Sequence, residues 1–262
     1  MSAKIQWSVF TKAWKTPLPE MGKFLKGLGF DGLELTVRPK YQVEQDKIET
    51  DLPKAAKLLG DLGLKIFSIA VWKIDEPAIA ACAASGVPII RLCEATSFKE
   101  SYLAQEKKIQ ERYDSLVPLL KKYKVKIGLQ NHCDDFVPNM FGVLRLIQKY
   151  DPAQIAAVWD PCHCALNGED PEIAADIIWD RLCMVNLKNS FWKQTNGPEA
   201  PVSQWQYHWT TGRRGKAPWN RVMAELNKRN YDGVVCLSAE YTDEPNANIY
   251  IADDIAFAKS LL

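Results

Sequence analysis

The sequence predicts an α/β protein, a single (β/α)8 TIM barrel spanning residues 1–262, on three observations. Short aliphatic runs alternate with amphipathic helical segments, the rhythm of repeated βαβ units and a parallel sheet. About eight such units fit within the 262 residues, the usual size of a closed barrel of this kind. Polar or aromatic residues close the aliphatic runs at matching places, at Glu34, Trp72, Gln130, Asp160, Asn186 and Glu240. Barrels of this type carry their active sites where strands end and the following loops begin.

Taken in order, the run KIQWSVF opens the chain. The helical segment MGKFLKGLGF leads to DGLELTV, and AAKLLGDLG leads to LKIFSIAVW. AIAACAASG precedes VPIIRL, and YDSLVPLLKKYK precedes VKIGLQNH. FGVLRLIQKYDPAQ runs into IAAVWD, PEIAADIIWDR into LCMVNLKN, and WNRVMAELNKRNYDG into VVCLSAE. An open doubly wound sheet is the competing architecture. It usually carries a Gly-rich phosphate loop after its first strand, where this chain reads FTKAWKTPLPE. No Pro/Ser linker or low-complexity tract divides the chain, so one domain is expected. The stretch from about 190 to 217 exceeds an ordinary βα connection and holds Trp192, Trp205, Tyr207 and Trp209. It is expected to be a lid over the site or a homodimer contact, where Trp, Tyr and Arg are enriched.

Composition narrows the function classes. Hydrophobic residues make up 47% of the chain and charged residues 25%, ordinary for a globular protein. With 33 basic against 32 acidic side chains the net charge is +1. Nucleic-acid binding normally brings a clustered basic excess, so no nucleic-acid partner is expected. No apolar run approaches the roughly 20 residues of a membrane span, and the first residues lack the pattern of a secretory signal. Seven cysteines form no short-spaced framework and read as reduced thiols, which points to a cytoplasmic protein.

Cys93, Cys183 and Cys236 lie inside aliphatic runs and read as small buried hydrophobes. Cys162, His163 and Cys164 are adjacent in VWDPCHCALNG, but a structural zinc site wants four N/S ligands, commonly as two spaced pairs. The complementary pair is missing. Asp160 and His163, at D-x-x-H spacing where a strand leaves the barrel, remain as a carboxylate able to hold a hard cation and an imidazole leaning over the same mouth. By itself the pair reads more readily as a helix cap and a satisfied surface histidine, and its companions along the chain shift that balance.

The motifs FDGLEL, VKIGLQNH, AAVWDPCHCALNGED, VNLKN and GVVCLSAEY resemble, in order and spacing, the xylose-isomerase-like TIM barrels. The resemblance covers nearly the whole chain, most closely residues 28–38 and 125–240. That superfamily includes sugar isomerases and epimerases, inosose dehydratases and zinc-dependent abasic-site endonucleases. The endonuclease branch needs several metals, which three histidines and no basic excess do not support. In the epimerase-like members one divalent ion, often manganese, is held by Glu, Asp, His and Glu. The resemblance implies Gln130, Asp160, Asn186 and Glu240 as the metal corners here. Asp160 and Glu240 match the family, whereas Gln130 stands for a Glu and Asn186 for a His. His163 matches a histidine that contacts substrate hydroxyls.

An all-oxygen set of this kind suits Mn²⁺ or Mg²⁺ better than zinc. With fewer negative charges than the parental set it would hold its ion less tightly. Glu240 is the expected general base, with His163, Lys188 or His132 as the second proton-transfer group. Glu34, Trp72, His132, Trp192 and Arg213 are the expected substrate contacts. Glu34 could equally be a buried carboxylate paired with Arg38 or Arg91. The function expected is a divalent-metal-dependent sugar isomerase or epimerase working through an enediolate. A lyase on a keto-sugar, keto-glycoside or inosose is the alternative, as is a non-catalytic sugar-binding barrel.

Overall fold

The computed structural model describes residues 5–97 and 99–262. Its elements run β1 (Gln6–Phe10), α1 (Leu18–Gly27), β2 (Gly32–Thr36), α2 (Ile48–Asp61), β3 (Lys65–Ala70), α3 (Glu76–Ala84), β4 (Ile89–Leu92) and α4 (Tyr102–Tyr123). There follow β5 (Lys126–Gln130), α5 (Met140–Ile147), β6 (Ile155–Trp159), the short α6 (Pro161–Leu166), α7 (Pro171–Ile178) and β7 (Leu182–Leu187). A hairpin of β8 (Asn189–Gln194) and β9 (Trp205–Thr210) comes next, then α8 (Trp219–Lys228), β10 (Val234–Ser238) and α9 (Ala247–Lys259). Strands β1 to β7 and β10 close into a parallel barrel, with β10 between β7 and β1. This is the predicted (β/α)8 barrel.

Alternation along each strand decides which side chains reach the lumen. Leu33 and Leu35 belong to the apolar layer between strands and helices, as do Ile127, Leu129, Val185, Leu187, Val235 and Leu237. Their neighbours Glu34, Gly128, Gln130, Asn186, Lys188, Cys236 and Ser238 therefore turn to the other side. The lower lumen is filled by a second apolar cluster of Phe10, Phe67, Ala70, Ile89, Val158, Met184, Val234 and Cys236. Gly128 leaves room for that filling: a Cβ there would stand 2.7 Å from Val158 Cγ2 and 3.1 Å from Ile89 Cγ2.

Above the apolar plug lies one buried ion pair. Arg91 Nε donates to Glu34, which is fully buried, and the guanidinium sits 4.6 Å over the Phe10 ring. Glu34 thus takes the structural alternative expected for it, with Arg91 as partner. The 190–217 stretch departs from a simple connecting loop. It is an antiparallel hairpin in register from Asn189↔Thr210 to Gln194↔Trp205, because its aromatic residues pair across two strands. All seven cysteines are free. Among the described residues, no helix is long and apolar enough to cross a membrane.

Gly128→Ala should lower stability by about 1–3 kcal/mol through overpacking. An unchanged thermal midpoint would contradict a filled lumen. Arg91→Met leaves the Glu34 carboxylate buried without its cation and should cost about 3–5 kcal/mol in denaturant unfolding.

Candidate active site

At the carboxyl ends of β5, β6 and β7 three polar side chains form a chain of hydrogen bonds. Asp160 follows β6 and caps α6, its Oδ1 accepting from the backbone N–H of Cys162 at 3.0 Å and of His163 at 3.3 Å. Its Oδ2 accepts from Gln130 Nε2 at 2.8 Å. An ionised carboxylate only accepts, which orients the Gln130 amide and turns its Oε1 towards Asn186. Asn186 Nδ2 donates to that oxygen at 3.1 Å. Asn186 Oδ1 is buried and, among the described residues, has no hydrogen-bond partner.

Lys188 completes the mouth. It shares the strand face of Asn186, is only 4% exposed, and places Nζ 3.1 Å from Glu240 and 4.0 Å from Asp160. The Trp209 ring lies 4.5 Å beneath the ammonium. Lys12 binds the other oxygen of Glu240 at 2.5 Å. Burial by itself would discharge Lys188, but Glu240 and Asp160 outweigh it and hold the ammonium above the ordinary lysine range. Burial likewise acts to raise Glu240, and the two lysines overcome it and keep the carboxylate well below its usual range. Asp160 is pushed up to about 6 by burial, with Lys188 pulling the other way.

The histidines form a second layer. His163 is fully buried and its Nδ1 accepts from the Cys133 backbone N–H at 3.0 Å. The ring proton of the neutral imidazole therefore belongs on Nε2, 3.6 Å from Asp160 Oδ2. His132 stacks on it with centroids 4.0 Å apart, and His132 Nδ1 lies 2.7 Å from the Cys133 carbonyl. A donor is needed there, which leaves Nε2 as a lone-pair acceptor. Burial and the Lys188 charge push His132 down to about 4 and His163 well below its usual range, so both rings are neutral.

Two groups could be asked to hold a metal. His132, Cys133 and His163 have donor atoms within 4.8 Å of one another. His163 Nδ1 is already taken by the Cys133 N–H and His132 Nδ1 by the Cys133 carbonyl, so the set offers too few free donors for the four ligands of a structural zinc site. The four corners Gln130, Asp160, Asn186 and Glu240 do come together as expected. However, Gln130 turns an N–H to Asp160, and the Lys188 ammonium stands between Asp160 and Glu240, the two carboxylates a cation would share. Lys12 and Lys188 already balance both negative charges. These residues do not fit a resident divalent ion.

The barrel mouth opens into a cavity of ≈ 490 Å³ whose walls include Gln130, His132, Asn186, Lys188, Ser238 and Glu240, with Trp72 at the rim. Asp160 and His163 stand behind this wall. Trp192 and Arg213 lie off the cavity: the Trp192 indole donates to the Leu166 carbonyl at 3.3 Å, and the Arg213 guanidinium covers the Phe257 ring at 3.8 Å. Sequence reasoning missed Lys12, Arg38, Arg91 and Arg112 as wall residues. Arg38 and Arg91 follow the same strand-end signal as Glu34, and that signal could have found them. Lys12 and Arg112 come from a turn and a long helix and carry no such mark.

The xylose isomerase-like TIM barrel profile matches residues 23–261. No curated protein sequence matches. The fold is similar to that of the probable 3-DHS dehydratase AsbF of Bacillus anthracis, with a TM-score of 0.76 and 15% identity over 97% of this chain and 99% of that one. It is also similar to the 3-keto-D-glucoside 4-epimerase YcjR of E. coli, at 0.74 and 14% over 98% and 100%. A D-psicose 3-epimerase gives 0.71 and 12% over 98% and 99%. At these identities the structural likeness establishes the barrel, and the family follows from the profile match across most of the sequence. The chain belongs to the xylose isomerase-like TIM barrel family.

Proposed function

We propose that the protein is an enzyme of sugar isomerase or epimerase type that forms an enediol from a keto-sugar derivative, with the Lys188 ammonium as its electrophile. The observation that carries this reading is the placement of Lys188 Nζ, buried on the cavity wall 3.1 Å from Glu240. A substrate carbonyl oxygen on this ammonium is polarised, and the carbon next to it becomes acidic. Glu240, held ionised by Lys12 and Lys188, accepts the proton from that carbon. The electron pair of the broken C–H bond moves into the new C=C bond, and negative charge collects on the oxygen held by Lys188.

The Asn186 Oδ1 and the Nε2 lone pair of the neutral His132 accept hydrogen bonds from substrate hydroxyls. Asp160, Gln130 and the buried His163 position these groups from behind. Glu240 returning the proton to the former carbonyl carbon, while His132 Nε2 passes the neighbouring hydroxyl proton to the oxygen held by Lys188, isomerises the sugar. Epimerisation instead takes a solvent-derived proton onto the opposite face of the first carbon through His132, and Glu240 releases the abstracted one to solvent.

Elimination of a β-substituent is a second reading, favoured by Gln130. A second carboxylate base would stand there in a two-base epimerase, and an amide cannot accept a proton at useful pH. Elimination needs only one base.

Incubation with a panel of ketoses and keto-glycosides in D₂O, followed by NMR, should show deuterium entering the carbon beside the carbonyl. Retained substrate skeletons mean isomerisation or epimerisation, and unsaturated products mean elimination. Lys188→Met and Glu240→Gln should each slow exchange by about 100-fold or more while circular dichroism shows a folded barrel. Full exchange in either variant would remove that residue from the chemistry.

Metal dependence is tested separately. Elemental analysis and calorimetry should find no stoichiometric divalent ion in the wild type, and EDTA should leave exchange intact. The double variant Gln130→Glu, Asn186→His should acquire manganese binding. A stoichiometric ion in the wild type would overturn the role given to Lys188.

A further inference from the structure

The cavity wall carries six cationic side chains, Lys12, Arg38, Lys73, Arg91, Arg112 and Lys188. Five of them have an anion: Lys12 and Lys188 share Glu240, Lys73 has Asp75, Arg91 has Glu34, and Arg112 has Glu94. Among the described residues, Arg38 alone of the six makes no ion pair, and its buried Nε has no hydrogen-bond partner.

Its backbone is fixed just beyond β2. Arg38 N–H donates to the Val43 carbonyl at 3.2 Å, and the Tyr41 N–H donates to the Arg38 carbonyl at 3.2 Å. The guanidinium is held 5.4 Å over the ring of Trp72, which is 75% exposed at the cavity rim. Burial and the nearby Arg91 charge act against the protonated form of Arg38, with Glu240 partly offsetting them, and a bound anion would add to that offset. Nε is shielded from solvent, while the side chain as a whole is half-buried on the cavity wall. A guanidinium offers parallel donors to the paired oxygens of a carboxylate or a phosphate.

We propose that the substrate of this cavity carries an anionic oxygen group, a carboxylate or a phosphate, bound by Arg38 beneath the Trp72 ring. The inference rests on the reading of the cavity as an active site and narrows it to acidic sugar derivatives. One end of the substrate meets Arg38 at the rim, and the reacting carbonyl end meets Lys188 and Glu240 on the same wall.

The test is calorimetry on the full chain with three probes: glucose, gluconate and glucose 6-phosphate. At least one anionic probe should bind about tenfold or more tightly than glucose. Arg38→Gln should erase that preference, bringing the anion's affinity to that of glucose in the same variant, and Arg38→Lys should keep part of it. The tighter of the two anions identifies the carboxylate or the phosphate. Equal binding of all three probes overturns the proposal, as does a preference that survives Arg38→Gln, or no saturable binding of either anion. Because this readout is affinity, it is independent of deuterium exchange. A clear Arg38-dependent preference without exchange defeats the enediol chemistry alone, and exchange without the preference defeats the anion site alone.

Discussion

A buried ammonium has to be matched by buried anions, and Lys188 imposes that condition on the barrel mouth. Taking a charge out of water is costly unless partners replace the lost solvation. Glu240 and Asp160 do so here, from the ends of two strands on either side of β7. Their own placement follows from the same need. Asp160 is further satisfied by the α6 N-terminus and Gln130, and Glu240 by Lys12. The charges at the mouth are therefore matched by side chains and the α6 N-terminus, and the closed sheet fixes the distances between them.

The hairpin of β8 and β9 is part of that arrangement. It carries Trp209 beneath the ammonium, and Trp209 meets the edge of His163 at 5.8 Å. From Trp192 through Tyr207 and Trp209 the rings run inwards to His163 and His132. The aromatic residues act as a wall that keeps water from Lys188 and keeps both imidazoles neutral. Low dielectric strengthens the interaction of the ammonium with any developing oxyanion.

Gln130 and Asn186 explain how a barrel of this family can carry a mouth organised by an ammonium. A carboxylate and an imidazole both offer lone pairs to a central ion. Two amides instead can donate and accept in sequence, and here they form a line from Asn186 through Gln130 to Asp160. One acceptor, Asn186 Oδ1, is left at the end of the line, buried and without a partner among the described residues. Arg38 is the other unsatisfied group on the wall.

Much of this was legible in the chain itself. Period-two alternation in GLELT, KIGLQ and VNLK settled which residues face the lumen, and the repeating helix–strand rhythm settled the closed barrel. Strand-end position alone brought Gln130, Asp160, Asn186 and Glu240 to one mouth, because parallel strands in a barrel all finish at the same rim. Tertiary structure decided the rest. Whether Glu34 binds substrate or Arg91 depends on the register of β2 against its neighbours and on the packing of Phe10, which no local pattern contains. Trp192 and Arg213 carry suitable chemistry but are used elsewhere, on Leu166 and Phe257, since an aromatic or guanidinium side chain pairs with whatever surface the fold brings near it. Both histidines are expected from the sequence to contact substrate, but only His132 lies on the cavity wall; His163 stands behind it, because the connection after β5 bonds back to Asp160 and His163. The balance between a divalent ion and an ammonium was likewise undecidable from residue types. It depends on distances of a few ångströms between Lys188, Asp160 and Glu240, which only the closed sheet sets.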